Sequence, residues 1–136
     1  MRVLLDTNVI LDLLLDRAGF VEEATAIWDA GNSGQIEIFI AAITPTTIFY
    51  IARKKKGADV ARQYIADILA ATQICPLHQQ VFLAAETLQF NDYEDAVQVA
   101  SALFSRLDCI VTRDQKDFKN SPLPIYSPSE FLALIR

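Results

Sequence analysis

Asp6, Asp95 and Asp114 are the side chains best placed to do chemistry, because each borders a strongly apolar element. Asp6 closes Val3-Leu4-Leu5, Asp95 falls in the first turn of a helix opening Asp92-Tyr93-Glu94-Asp95-Ala96, and Asp114 ends Cys109-Ile110-Val111-Thr112-Arg113-Asp114. Carboxylates gathered without a counter-cation lose solvation and repel one another. A hard divalent metal resolves that cost with oxygen ligands, and phosphodiester cleavage is its natural chemistry. Singly, the acids have a plainer reading. Asp92 with Asp95, and Asp114 with Asp117, have the spacing of a helix cap and its third residue, where the dipole favours acids. Asp6 fits that reading less well, since a carboxylate pressed against a sheet needs a donor or a cation. Capping alone gives no reason for all three to meet on one rim.

The apolar periodicity supplies the elements that position them. Arg2 to Leu5 is a short buried strand, and a helix to about Leu15 follows, capped by Asn8 and carrying Val9, Ile10, Leu13 and Leu14. Val21, Ala24, Ile27 and Trp28 mark a helix from Phe20 to about Ala30, with Trp28 as a core anchor and Gly31-Asn32-Ser33-Gly34 as its stop. Ile36 to Ile40 is a strand, Thr44-Pro45 opens a helix reaching Gly57, and another helix covers 59–71. Gln73 to Pro76 is a short strand, and the helix 79–88 turns Val81, Phe82, Ala85 and Leu88 inward. The helix 92–106 buries Ala96, Val99, Ala100, Leu103 and Phe104, and the strand Cys109 to Thr112 follows. A last strand near Ile125-Tyr126 and a helix to Ile135, capped by Ser127, complete the chain. Short strands alternating with helices imply right-handed parallel crossovers, which put the strand carboxyl ends on one ligand-binding rim. Asp6 and Asp114 lie on that rim, and Asp95 joins them if its helix points its N-terminus there.

At 136 residues and 52% hydrophobic, with no Pro/Gly/Ser-rich linker, the chain fits one domain over 1–136. Charges interrupt every apolar stretch before membrane-spanning length, so a soluble, cytoplasmic protein without membrane contact is expected. Cys75 and Cys109 lack any metal-binding spacing and read as buried thiols. A net charge of −5 argues against nucleic-acid binding by broad electrostatics. The run Arg53-Lys54-Lys55-Lys56 is either a solvated helix end or a local phosphate contact, and Arg113 either touches phosphate or pairs with an acid. His78 has no partner at ligand spacing and faces solvent, and the four glycines form no phosphate-cradling loop.

Leu5-Asp6-Thr7-Asn8-Val9-Ile10-Leu11-Asp12, then Asp92-Tyr93-Glu94-Asp95-Ala96, then Val111-Thr112-Arg113-Asp114 with Lys116-Asp117-Phe118, resemble the PIN-domain family in order and spacing over nearly the whole chain. The small size resembles the VapC-type toxins of prokaryotic toxin–antitoxin pairs. The resemblance implies an α/β fold of three α/β/α layers with a short, mostly parallel central sheet. It also implies Mg²⁺ or Mn²⁺ as cofactor, RNA as substrate, a small antitoxin partner and a homodimer. Asp6, Asp95 and Asp114 would be the core acids, Asp117 a fourth at the rim, and Asn8 would orient Asp6 or a water. One departure stands out: Thr47 occupies a position where many relatives carry glutamate, which leaves open a weaker metal site, a single metal, compensation by Glu94 or Asp92, or loss of activity.

Two other functions compete. An aspartate-nucleophile phosphatase would want an acid two residues after Asp6 or a lysine at a late strand end, where the chain has Asn8 and Arg113. A catalytically weakened RNA-binding or interaction module is compatible with Thr47 and with the acidic net charge.

Overall fold

The computed structural model describes residues 1–136. Five strands, β1 (Arg2–Leu5), β2 (Glu37–Ala41), β3 (Gln73–Cys75), β4 (Cys109–Val111) and β5 (Ile125–Tyr126), form one sheet in the order β3-β2-β1-β4-β5. Every pairing is parallel. The chain winds outward from β1 through β2 to β3, then returns to the other side of β1 as β4. The β1/β4 boundary is therefore the topological switch point, where a crevice opens at the carboxyl ends of an open α/β sheet. Register sharpens this: Leu5 pairs with Val111, and the Asp6 amide donates to the Val111 carbonyl at 3.0 Å, so Asp6 and Thr112 leave the sheet side by side.

Six helices connect the strands, α1 (Thr7–Leu14), α2 (Val21–Asn32), α3 (Thr44–Lys56), α4 (Ala58–Ala71), α5 (Gln79–Thr87) and α6 (Tyr93–Phe104), and α7 (Pro128–Leu134) follows the last one. Alternation along β1 sends Val3 and Leu5 to a core shared with Val9, Ile27, Ile48, Ile68 and Phe131, while Leu4 packs on the opposite face with Val99, Ile110 and Phe118. Both faces are covered, as the near-continuous apolar strands require. No helix is long and apolar enough to cross a membrane.

Local chemistry accounts for several ends. Ser127 caps α7 reciprocally with Glu130, closing a capping box. Gly57, at φ +91°, carries the turn between α3 and α4. α2 stops within the expected Gly31-Asn32-Ser33-Gly34 segment: the helix runs to Asn32, and Gly34 at φ +82° makes the left-handed turn. Gly31 has a packing reason instead, because a Cβ there would collide with the Ile38 side chain on β2. The inward placement of Phe82 is corrected. It is exposed, since α5 buries only the narrow stripe of Val81 and Ala85 against α6. Phe104, at the far end of α6, is corrected as well: it is 49% exposed, with the His78 ring edge-on at 5.3 Å. Trp28 is half-buried against the larger core. Cys75 and Cys109 are free, buried thiols, and burial pushes the Cys109 thiol up to about 12.

Candidate active site

At the switch point a cleft of about 220 Å³ is lined by six carboxylates, Asp6, Asp92, Glu94, Asp95, Asp114 and Asp117, and by no lysine, arginine or histidine. Asp6 follows β1; Asp92, Glu94 and Asp95 come from the start of α6. Asp114 and Asp117 come from the loop after β4 and the single 3₁₀ turn Gln115–Phe118. Thr47 and Ile51 of α3 close the remaining side. The N-terminus of α6 does point at the rim, and Asp92 caps it by accepting the Asp95 amide at 3.1 Å.

Asp6 is 3% exposed and held at both oxygens. Gln98 Nε2 donates to Oδ1 at 3.0 Å and the Thr112 hydroxyl donates to Oδ2 at 2.8 Å. Thr112 also accepts the Asp114 amide at 3.0 Å, so one hydroxyl ties two of the acids together. Burial still pushes the Asp6 carboxyl up, the two donors oppose it, and the nearby Asp114 charge adds to it. Asp95 is raised to about 7, first by burial and then by the charges of Asp92, Asp6, Asp117 and Glu94. Glu94 is raised by burial as well, although Thr47 donates to it at 3.3 Å. That contact sets an α6 carboxylate against the hydroxyl that α3 offers at position 47.

The donor set is all oxygen and its charge is unrelieved, which suits a hard dication. The fit is one of chemistry rather than finished geometry. No group of three or more His, Cys, Asp or Glu is already placed to hold a metal ion, so the acids share a cleft without converging on a point.

Other expected residues land differently. Asn8 does not cap α1, whose N-cap is Asp6, and Asn8 Nδ2 lies 3.5 Å from Asp114 Oδ2 rather than on Asp6. Arg113 turns away from the cleft. Its guanidinium forks onto buried Asp12 at 2.8 and 3.2 Å and lies 4.2 Å over the Phe20 ring. Arg17 adds a second cation to Asp12 at 3.2 Å. Arg53, Lys54, Lys55 and Lys56 form the exposed last turn of α3 and do not line the cleft, and the Lys54 ammonium sits 4.4 Å over the Tyr50 ring. His78 is exposed and apart from the cleft.

Sequence reasoning missed Gln98 and the Asp12 clamp. Gln98 is fully buried, and its Oε1 has no partner, at a cost of about 1–3 kcal/mol. Its stabilising contact is the donation to Asp6. The signal was available: Gln98 stands three residues after Asp95, on the same helix face, inside an otherwise apolar stripe. Asp12 was likewise an acid amid leucines. Asp12→Ala should destabilise the protein by about 2 kcal/mol in denaturant titrations, less than the ~3–5 kcal/mol of fully buried pairs because both arginines retain solvent contact.

A family model described as a PIN domain matches residues 2–116. No curated protein matches the chain by sequence. Among solved structures, a toxin–antitoxin complex from Klebsiella pneumoniae is similar at 25% identity and TM-score 0.69, covering 93% of this chain and 97% of that one. VapBC2 from Rickettsia felis, bound to a promoter DNA fragment, is similar at 16% identity and TM-score 0.74, covering 93% and 98%. The sarcin–ricin loop-cleaving toxin VapC20 of Mycobacterium tuberculosis is similar at 10% identity and TM-score 0.65, covering 79% and 86%.

Proposed function

Because the chain belongs to the PIN-domain family, we propose that it is a Mg²⁺- or Mn²⁺-dependent endoribonuclease and the VapC-type toxin of a toxin–antitoxin pair. The observation that carries this reading is the cleft of six carboxylates without a single basic lining residue. The Klebsiella neighbour, a toxin–antitoxin complex, supports an antitoxin partner, and the sarcin–ricin loop-cleaving neighbour supports an RNA substrate. A homodimer in the cytoplasm belongs to the same proposal.

Asp6, Asp95 and Asp114 would hold the cation, with Asp117 at the outer edge and Asp92 and Glu94 within reach of the same cleft. When bound, the ion supplies charge neutralisation at the scissile phosphate and Lewis-acid activation of a water. The chain's own part is to orient and to dehydrate. Gln98 and Thr112 fix both oxygens of Asp6, Thr112 holds the Asp114 backbone, and Thr47 steers Glu94. Mg²⁺ usually keeps several waters and needs few protein carboxylates beside substrate phosphate, so a hydroxyl in place of an acid on α3 still leaves enough ligands.

Incubation of a mixed RNA pool with wild type and Asp95→Asn, with and without Mn²⁺, tests the proposal. Dication-dependent cleavage by wild type, slowed about a hundredfold or more in the variant, is expected. RNA retention without cleavage would mean a binding module, and phosphomonoester turnover a phosphatase. Induced wild type should arrest growth where Asp95→Asn does not, and equal growth of the two would count against the toxin assignment.

A further inference from the structure

A second depression, about 730 Å³ in volume, opens beside the acidic cleft and shares Asp92 and Asp117 with it. Its character is different. Lys116, in the 3₁₀ turn, and Lys119, the helical-backbone residue that closes it, both line the groove, and a spacing of three residues brings side chains of such a turn to the same face. The amides of Gln89, Asn91 and Asn120 line the rest. Phe90, its one apolar member, is pinned edge-on against buried Phe118 at 6.0 Å. Both ion pairs of the protein use Asp12, so neither lysine is paired, although carboxylates stand on the groove's border.

Cations, amides and an aromatic ring in one groove match the three parts of a nucleotide. Lysines neutralise phosphate. Amides read the hydrogen-bonding edges of an unstacked base, and aromatic rings stack on its face. The volume lies within the roughly 300–1,000 Å³ usual for small-ligand sites, whereas the acidic cleft has room for little more than an ion and a phosphate group. Continuity through Asp92 and Asp117 makes the groove the next stop for a strand whose phosphate lies at the acids.

We infer that this groove is the subsite for the nucleotide adjoining the scissile phosphate of a single-stranded RNA, with Lys116 and Lys119 on its backbone and Gln89, Asn91 and Asn120 on its base. The inference rests on the ribonuclease reading and adds where the strand is gripped. Gln89 gives it a clean probe. Its backbone is left-handed at φ +56° just past the end of α5, a conformation glycine adopts at no steric cost. Gln89→Gly thus removes the amide while relieving the backbone.

The test is fluorescence anisotropy of a labelled mixed-sequence single-stranded RNA in Ca²⁺, repeated over a series of salt concentrations, with Mn²⁺-dependent cleavage of the same RNA measured alongside. Lys116→Ala/Lys119→Ala should weaken binding about tenfold or more and lower the slope of log affinity against log salt by about 1.4, the counterion-release value for two single-strand contacts. Gln89→Gly should weaken binding severalfold at an unchanged slope, without lowering the melting temperature. Wild-type affinity and slope in the double variant, while wild type cleaves the RNA, would overturn the subsite alone. Wild-type affinity in Gln89→Gly would overturn the base contact. Wild type that neither binds nor cleaves the RNA would overturn the subsite together with the ribonuclease reading.

Discussion

Asp6→Asn is expected to slow RNA cleavage by about a thousandfold or more and yet to leave the metal-free protein at least as stable as wild type. The first half follows from position. Asp6 is the most deeply buried acid of the cleft and is fixed at both oxygens, whereas the other five carboxylates lie nearer solvent and cannot reproduce its placement at the end of β1. The second half follows from its charge. Burial raises its pKa, meaning that the folded protein disfavours the ionised form, and a neutral isostere removes that penalty. The new amide also finds a partner. Gln98 Oε1 is unpaired in the wild type, and a turned Gln98 amide can accept from Asn Nδ2 while Thr112 donates to Asn Oδ1. We expect a melting temperature raised by about 3 °C, roughly 1 kcal/mol for a domain of this size, measured in chelator beside the cleavage rate. A variant that lost activity and melted far below wild type would make Asp6 a structural residue.

The second large effect is the response of stability to pH and metal. The Asp95 carboxyl is raised to about 7 from 3.8, and Asp6 and Glu94 shift the same way. Folded protein therefore holds protons that the unfolded chain has already released, and stability must fall as pH rises through the window from about 4 to 7. The metal-free protein should melt higher at pH 5 than at pH 8. Mn²⁺ reverses the trend, because its ligands must be deprotonated and because its charge offsets the burial cost, and the lesser repulsion, that raised them. At a hundred times its dissociation constant it should add about 2.7 kcal/mol at pH 8 and far less at pH 5. Thermal melts at both pH values, with Mn²⁺ and with chelator, give all four numbers. A melting temperature that climbs from pH 5 to 8 in chelator would show that the fold does not raise these carboxyls.

The parts of the site that the sequence announces are those whose signal is local. Asp6 and Asp114 follow apolar runs that can only be buried parallel strands, and that topology brings strand ends together without any knowledge of side-chain contacts. Asp95 was legible because its helix start carries acids at cap spacing. What stayed hidden depends on long-range pairing. Arg113 had two equal readings until Asp12, a hundred and one residues earlier, supplied its partner. Gln98 looked like any helix residue until ninety-two residues of chain folded Asp6 against it. Phe82 misled because helical spacing does not say how wide a stripe the neighbour covers, and α6 covers only a narrow one. The groove bearing Lys116 and Lys119 joins a loop after α5 to the turn after β4, segments that no single window of sequence contains.

Calorimetric titration of Mn²⁺ into the metal-free wild type and into Asp6→Asn at pH 8 reaches the central claim without needing the RNA target. Saturable uptake by the wild type, lost or weakened at least about a hundredfold in the variant, is the expected result. Wild type that takes up no Mn²⁺ or Mg²⁺, or a variant that binds the ion as tightly as wild type, would contradict the assignment of these acids as a metal centre.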